Sequence, residues 1–200
     1  MASVSDKTRL KLAIIPGDGT GPEVTTEALK VLAAVAPRHG FTYETETFDW
    51  GSQRYLKTGE TLPPGALDTL RGFHAIFLGA VGHPKVQDHV TLNGLLLPIR
   101  RRFDQCVCLR PAYLYPGVES PLRNKPGGSI DMLVYRENTE GEYAPVGGRL
   151  YQGTPHEAAV QTSVFTRRGC ERIMRAAFTG ARRRRKKVTS ITKSNAQVYS

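Results

Sequence analysis

The stretch KLAIIPGDGTGPEV, residues 11–24, decides the fold prediction. It begins as an apolar, strand-like run and continues as a glycine-rich turn, and Pro22 suits the first turn of a helix. The residues that recur at helical spacing and are expected to face inward are Val24, Ala28, Val31, Leu32 and Val35. The pattern therefore predicts a β-loop-α unit.

Both patterns recur along the rest of the chain. Strands are predicted at residues 41–48, 74–82, 106–115, 129–138, 159–165 and 187–192, with Pro111 dividing the third into two. Helices are predicted at residues 66–73, 92–103 and 166–182, and residues 52–65 are expected to form a loop or an irregular helix. Pro98 is expected to begin or to kink the second helix. This alternation predicts an α/β fold with much parallel strand pairing.

The composition predicts a globular chain. Of its 200 residues, 40% are hydrophobic, and no run approaches the roughly eighteen apolar residues of a membrane span. The start, MASVSDKTRL, lacks the apolar centre of a secretory signal, so we expect a cytoplasmic location and no membrane partner. Cys106, Cys108 and Cys170 lack the spacing of a metal site and are expected to be reduced, partly buried thiols.

The formal charge of +10 raises the possibility of nucleic-acid binding. However, six of the 28 basic residues form one run, Arg182 to Lys187, and the other 22 stand against 18 acidic residues. No nucleic-acid-binding motif accompanies this run, and aromatic residues are not interleaved with it. We therefore expect no nucleic-acid partner and interpret the run as a solvated helix end or as a segment that lies near an acidic partner surface.

Cationic side chains follow several of the predicted strands. Arg110 follows CVCL, Arg136 follows DMLVY and Lys193 follows VTSIT, while Arg100 could reach the same region from a helix. Ligands of α/β sheets gather at the carboxyl ends of strands, so these side chains are candidate ligand contacts. Three guanidinium groups at one site suit a ligand with more than one carboxylate, or a phosphate. For Arg100 the alternative is a solvated helix face formed with its two neighbouring arginines.

Lys193 and Tyr143 are the candidate proton carriers. A lysine near other cations or removed from water loses proton affinity and can act as a base, and a phenol can deliver a proton. A structural role is the alternative for each. The glycine cluster of residues 17–21 lacks GxGxxG spacing, so it is a weak signal for a turn before a helix.

Six segments carry a resemblance to a known family: IIPGDGTGPEV, FLGAVGHP, DHVTLNGLLLPIRRRFDQ, CLRP, DMLVYRENTEGEYAPVGGR and TSITKSNAQ. In this order they resemble the β-decarboxylating 2-hydroxyacid dehydrogenases, a family that includes isopropylmalate, isocitrate, D-malate and tartrate dehydrogenases. The DHVTL, FDQ and VGGR surroundings look closest to the tartrate and D-malate branch. The resemblance implies an isopropylmalate dehydrogenase-like α/β fold, not a Rossmann fold, that is incomplete at its carboxyl terminus.

The resemblance also implies roles for individual residues. Arg100, Arg110 and Arg136 would bind substrate carboxylates, Tyr143 would protonate the enolate carbon, and Lys193 would act on the substrate hydroxyl from across a homodimer interface. The loop that begins Gly79, Ala80, Val81 and Gly82 would lie along NAD. Mg²⁺ or Mn²⁺ would stabilise the enolate, with ligands outside this chain, so no metal residue is assigned.

The implied activity is NAD-dependent oxidative decarboxylation of a small 2-hydroxy dicarboxylic acid. Residues 1–107 would belong to the first, cofactor-side domain, and residues 108–200 to the second, substrate and dimerisation domain. Because metal ligands are expected beyond residue 200, the isolated chain is expected to be inactive. The alternative is a truncated, non-catalytic homologue that acts as a dimerisation partner.

Overall fold

A computed structural model describes residues 8–192, 195–197 and 199. The chain divides into two compact units, Met1–Arg102 and Phe103–Ser200. The division between these units falls five residues before the domain boundary expected after residue 107. The assignment of those domains to cofactor and substrate stays a prediction.

The first unit is built on a parallel sheet of three strands. These are β1 (Thr8–Gly17), β2 (Phe41–Thr47) and β3 (Ala75–Ala80), in the order β2-β1-β3. The central strand is buried along its apolar run from Leu12 to Ile15, as expected for a parallel strand with both faces covered. The parallel pairing predicted from the sequence is correct for this sheet.

Three helices accompany these strands: α1 (Gly21–Val35), α2 (Ser52–Thr58) and α3 (Ala66–Leu70). The inward face predicted for α1 is only partly correct: Ala28, Leu32 and Val35 are partly buried, but Val24 and Val31 are 52% and 62% exposed. The buried residues are Gly21 and Thr25 instead. Thr25 lies so close to Gly79 that a β-carbon there would overlap its hydroxyl, so small residues form the contact between α1 and β3.

The apolar core of the first unit lies around β1. Ile14, Ile15 and Leu70 are almost completely buried, and each contributes about 1.5–3 kcal/mol through removal of its side chain from water. Beside them, the rings of Phe48 and Trp50 stack with their centroids 4.3 Å apart. This core holds the carboxyl ends of the strands, and the loops that follow them, in place.

The last part of the first unit is helical but irregular. Helix α4 (Asp88–Thr91) continues through a π-helical turn (Leu92–Leu96) into α5 (Leu97–Arg102). Pro98 has no N–H to donate to the preceding turn and would clash with the regular helix there, so a wider turn before it is the expected adjustment. The predicted helix of residues 92–103 is thus a π-helical turn followed by α5, and α4 precedes it as a further helical turn.

Antiparallel pairs form the second unit, contrary to the predicted parallel pairing. Strands β4 (Val107–Tyr113) and β5 (Asp131–Glu137) form one pair, and β6 (Gly147–Leu150) and β7 (Ala158–Gln161) form the other. β4 is one strand that runs through Pro111, not two strands. Among the described residues β4 pairs with β5 alone, and an edge position tolerates a residue without an N–H.

Two strand predictions in the second unit are also wrong. β6 has no counterpart in the sequence prediction, since its glycines weakened the apolar alternation. Conversely, residues 187–192 form no strand, although their pattern is strand-like. A strand requires a partner in a ladder, and the described part of the chain supplies none for this segment.

Helix α6 (Arg167–Arg182) packs against β5. Gly180 makes this contact possible, because a β-carbon there would overlap the hydroxyl of Tyr135. Beyond the helix, Arg184 and Arg185 bind the carboxylate of Asp131 at 2.6 and 3.3 Å, so part of the basic run anchors the chain to β5. No helix in the described residues is both long and apolar enough to span a membrane.

Candidate functional site

Arg136 and Tyr143 lie together in the second unit. Arg136 is the penultimate residue of β5, and the central carbon of its guanidinium group lies 4.9 Å from the centroid of the Tyr143 ring. A cation over an aromatic face is attracted by the ring quadrupole, by about 0.5–1 kcal/mol at an accessible site. The two predicted functional side chains of this segment are therefore brought together.

The turn between Arg136 and Tyr143 closes on a carboxylate. Glu137 accepts hydrogen bonds from the amides of Thr139 and Glu140, at 2.9 and 2.7 Å, and from the Thr139 hydroxyl at 2.6 Å. Arg172 of α6 binds the same carboxylate at 3.1 Å and also donates to the Thr139 hydroxyl. These bonds determine the direction in which the chain leaves β5.

Glu140 fastens the same turn to the start of α6. Its carboxylate accepts hydrogen bonds from the amide and the hydroxyl of Thr166, at 2.9 and 2.7 Å. The Thr166 hydroxyl in turn accepts from the amide of Gly169 at 3.0 Å and so caps the helix. A β-carbon at Gly169 would overlap the Glu140 carboxylate, so only glycine fits there without displacement.

A cavity of about 270 Å³ lies beside this turn. Its lining residues come from the end of β5, the turn and the start of α6: Arg136, Glu137, Glu140, Gly141, Glu142, Tyr143, Phe165, Gly169, Cys170 and Ile173. Cys170, which was expected to be partly buried, is exposed. Arg136 and Tyr143 both line this cavity, so a small ligand held there would contact both residues.

The charges of the network affect two pKa values. Burial alone would raise the pKa of Glu137, but the hydrogen bonds from Thr139, Glu140 and Arg172 outweigh it and lower that pKa below its ordinary value of 4.5. Burial alone would lower the pKa of Arg172, but the hydrogen bonds to Asp104 and Glu137 outweigh it and raise that pKa. The turn is thus held by charged partners at neutral pH.

Arg110 lies in the middle of β4, not at a strand end as predicted. In the ladder Cys108 stands opposite Arg136, and Arg110 stands opposite Val134. Residues directly opposite each other point to the same face, so Arg110 and Arg136 are diagonal neighbours on one face of the pair. The Nε atom of Arg110 donates to the Cys108 thiol at 3.2 Å.

Neither arginine has a carboxylate partner among the described residues. Other guanidinium groups do, such as that of Arg172 with Asp104 at 2.7 Å, whereas Arg110 and Arg136 form no ion pair within 4.0 Å in the part of the chain described. Arg136 is only partly exposed. A partly buried cation without a protein counter-ion favours an anionic ligand at this site.

The structure does not test two of the predicted site residues. Arg100 lies in α5, in the first compact unit, so its convergence with Arg110 and Arg136 stays a prediction. Lys193 lies outside the described residues, and the strand expected to lead to it does not form.

The predicted NAD loop, from Gly79 to Gly82, begins at the carboxyl end of β3. A β-carbon at Gly79 would overlap the carbonyl oxygen of Pro16, so this end of the loop is closely packed. At Gly82 the backbone has φ +151° and a β-carbon would meet open space. Such a loop fits close approach of a cofactor on the side of Gly82.

A metal site does not emerge from the described residues, because they contain no group of three His, Cys, Asp or Glu side chains that could hold an ion. Sequence reasoning missed Glu137 and Glu140, which hold the turn between Arg136 and Tyr143. The available signal was two carboxylates in a short turn that directly follows an apolar strand, where backbone amides need acceptors.

Comparisons with known proteins find relatives that match nearly the whole chain. A 3-isopropylmalate dehydrogenase of Thermobifida fusca (strain YX) is 53% identical over 192 residues, which are 96% of this chain and 54% of the relative. The D-malate dehydrogenase [decarboxylating] of Escherichia coli (strain K12) is 50% identical over 194 residues, which are 96% of this chain and 54% of the relative.

A solved structure has the same fold. The isocitrate dehydrogenase from Methylococcus capsulatus aligns with a TM-score of 0.78 at 31% identity, over 95% of this chain and 53% of that one. The chain spans about half the length of the curated relatives it matches. Residues 11–200, which include the arginine-tyrosine turn and the glycine loop of β3, match one family, and the chain belongs to it: the isocitrate/isopropylmalate dehydrogenase family.

Proposed function

We propose that this chain supplies substrate-binding arginines and a proton donor to an NAD-dependent enzyme. The reaction is oxidative decarboxylation of a small 2-hydroxy dicarboxylic acid of the D-malate, tartrate or 3-isopropylmalate type. The observation that carries the proposal is the contact of Arg136 with Tyr143 beside a cavity, in a chain of this family. A cytoplasmic location is part of the proposal.

Substrate binding is the role proposed for the arginines. The fork of a guanidinium group matches the two oxygens of a carboxylate, and two or three such groups distinguish a diacid from a monoacid. Arg136 and Arg110 share one face of the β4-β5 pair and lack carboxylate partners in the described part of the chain, which supports their role. We assign Arg100 to the same substrate.

Proton transfer is the role proposed for Tyr143 and Lys193. Lys193, contributed across a homodimer interface, would accept the proton of the substrate hydroxyl. The NAD that residues 79–82 are proposed to hold would supply the acceptor for the hydride of the hydroxyl-bearing carbon. After carbon dioxide leaves, the Tyr143 phenol would protonate the enolate carbon that carried the departing carboxylate. The contact of Tyr143 with Arg136 supports this role, because it holds the ring beside the proposed carboxylate-binding group.

The loop of residues 79–82 is proposed to contact NAD, and the open space beside Gly82 supports this. Mg²⁺ or Mn²⁺ is also part of the proposal. Because its ligands are not among the described residues, no step above depends on it.

The experiment is a titration of the chain with D-malate, tartrate and 3-isopropylmalate, followed through the ring resonances of Tyr143 by NMR. We expect saturable shifts with at least one diacid and none with a matched monoacid such as lactate. Arg136→Gln should weaken binding by about 10- to 100-fold, the equivalent of one charged hydrogen bond of roughly 1.5–3 kcal/mol.

The matched control for Arg136→Gln is Arg123→Gln, which removes the same charge from an exposed position of the same unit. Binding should be unchanged in this variant. Equal effects of the two substitutions, or no preference for diacids, would contradict the proposed role of Arg136. With NAD and Mn²⁺ added, we expect the isolated chain to form no NADH, and robust turnover would show that this expectation is wrong.

A further inference from the structure

The carboxylate of Asp18 connects two loops at the carboxyl edge of the parallel sheet. Asp18 is 4% exposed and follows β1 directly. It accepts hydrogen bonds from the amide of Ser52 at 2.9 Å, from that of Gln53 at 3.2 Å and from that of Gly82 at 3.4 Å. A buried carboxylate is stable only when such donors replace water, so its position and the positions of the donors depend on each other.

One of the connected loops is the start of α2. Gly51 precedes this helix and has no side chain that could cap it, so Asp18 supplies the acceptor from another part of the chain. The carboxylate also carries the charge that a helix amino terminus favours. A β-carbon at Gly51 would lie only 3.1 Å from a carboxylate oxygen of Asp18, so the glycine leaves room for this bond.

The second connected loop is that of residues 79–82. Besides the carboxylate contact with Gly82, the amide of Asp18 donates to the carbonyl oxygen of Ala80 at 2.6 Å. β-Carbons at Gly17 or Gly21 would overlap or crowd that same carbonyl. The glycines on both sides of Asp18 therefore let the two backbones pack directly, and Asp18 bonds to the loop from both its backbone and its side chain.

We propose that Asp18 is a positioning residue for the NAD loop, which it holds in the conformation that leaves the side of Gly82 open. The inference rests on the proposed function, because residues 79–82 have a cofactor role only there. In this role Asp18 would act through the loop and not by contact with substrate or cofactor. The glycine cluster of residues 17–21, which reads from the sequence as a turn, would thus support the loop.

The test compares Asp18→Asn with Asp49→Asn in the chain. Both substitutions remove one carboxylate charge, but Asp49 is exposed. An asparagine side chain presents an NH₂ group that cannot accept the bonds now made to the second carboxylate oxygen. The Gly82 amide bonds to that second oxygen alone, so residue-resolved amide hydrogen exchange should show that Gly82 exchanges at least about tenfold faster in Asp18→Asn than in wild type, with the amide of Ile14 unchanged.

Asp49→Asn should leave the exchange rates of Gly82 and Ile14 as in wild type. Unchanged exchange at Gly82 in Asp18→Asn would overturn the positioning role, and so would an equal increase in the two variants. Gly51→Ala should also make the amide of Gly82 exchange faster, because the added β-carbon crowds the Asp18 carboxylate without replacing it.

Titration with NAD then separates this inference from the proposed function. If the loop binds NAD, the amide resonances of Val81 and Gly82 should shift with NAD in wild type, and the dissociation constant should rise about tenfold in Asp18→Asn. If wild type shows no shift, the proposed cofactor role of the loop is wrong. Exchange at Gly82 still decides the role of Asp18 in that case, since it requires no NAD.

Discussion

The guanidinium group of Arg136 covers the ring of Tyr143, with its central carbon 4.9 Å from the ring centroid. The two residues stand at opposite ends of one turn, and Glu137 and Glu140 within that turn are bound to α6 and its cap. A carboxylate-binding group and a proton donor are thus held by the same few hydrogen bonds. Disturbing these bonds should affect both groups together.

Replacing Arg136 by Gln should change the environment of the Tyr143 ring but hardly the stability of the chain. The cation–π contact at an accessible ring contributes at most about 1 kcal/mol, so the free energy of unfolding should fall by no more than that. The ring resonances of Tyr143 should shift, as measured by NMR. Arg136→Lys keeps a cation and should produce a smaller shift, and equal shifts in both variants would contradict the contact.

Gly169→Ala should destabilise the second unit. The added β-carbon would overlap the Glu140 carboxylate, and overpacking of this kind costs about 1–3 kcal/mol. Urea unfolding should show the loss, and the Tyr143 ring resonances should also shift because Glu140 holds its turn. Gly148→Ala is the control, since a β-carbon there meets no atom within 4 Å and should change neither quantity.

Acid should weaken the network around Glu137. The pKa of this carboxyl is lower in the folded chain than its ordinary value of 4.5, so the folded state binds its proton less readily than the unfolded state. The resulting stabilisation is fully present above about pH 4.5 and is lost as the pH falls through the pKa of Glu137 in the folded chain. The free energy of unfolding should therefore decrease with acidification in that range.

Glu137→Gln removes the titrating carboxyl group. The free energy of unfolding should then decrease less steeply with acidification, as measured by urea unfolding at a series of pH values. Glu119→Gln, at an exposed position, is the matched control and should retain the slope of wild type. A Glu137→Gln profile parallel to that of wild type would mean that the Glu137 network does not stabilise the fold.

Leu70→Ala should destabilise the first unit by about 2–5 kcal/mol, because Leu70 is 1% exposed and the substitution leaves a cavity. The exchange rates of buried amides in β1 should rise accordingly. Leu122→Ala provides the comparison, since Leu122 is 58% exposed and its truncation should change stability by less than about 0.5 kcal/mol.

Much of the first unit could be predicted because its signals are local. The apolar run of β1, the glycines after it and the helical spacing of α1 all lie within one short segment, and the structure confirms both elements. The inward face of α1 was only partly correct, because close contacts of Gly21 and of the Thr25 hydroxyl with β3 determined which side packs. A hydrophobic pattern does not record such close approach.

The second unit was predicted less well, since its strands depend on partners. Residues 187–192 have a strand pattern but no partner in the described chain, whereas β6 has a weak pattern and pairs with β7. At the site, Arg136 and Tyr143 could be proposed because they are near in sequence. Arg110 was misplaced because the length of β4 through Pro111 depends on its pairing with β5.

The sequence by itself determined the βα start, the arginine and the phenol of the turn, and the family, since these reside in short segments whose residues act on their neighbours. Only the tertiary structure decided that Glu140 binds Thr166 and that Asp18 bonds with both Ser52 and Gly82. These bonds join residues 26 to 64 positions apart. A buried carboxylate finds its donors only after the packing of distant segments has excluded water, and no local pattern specifies that outcome.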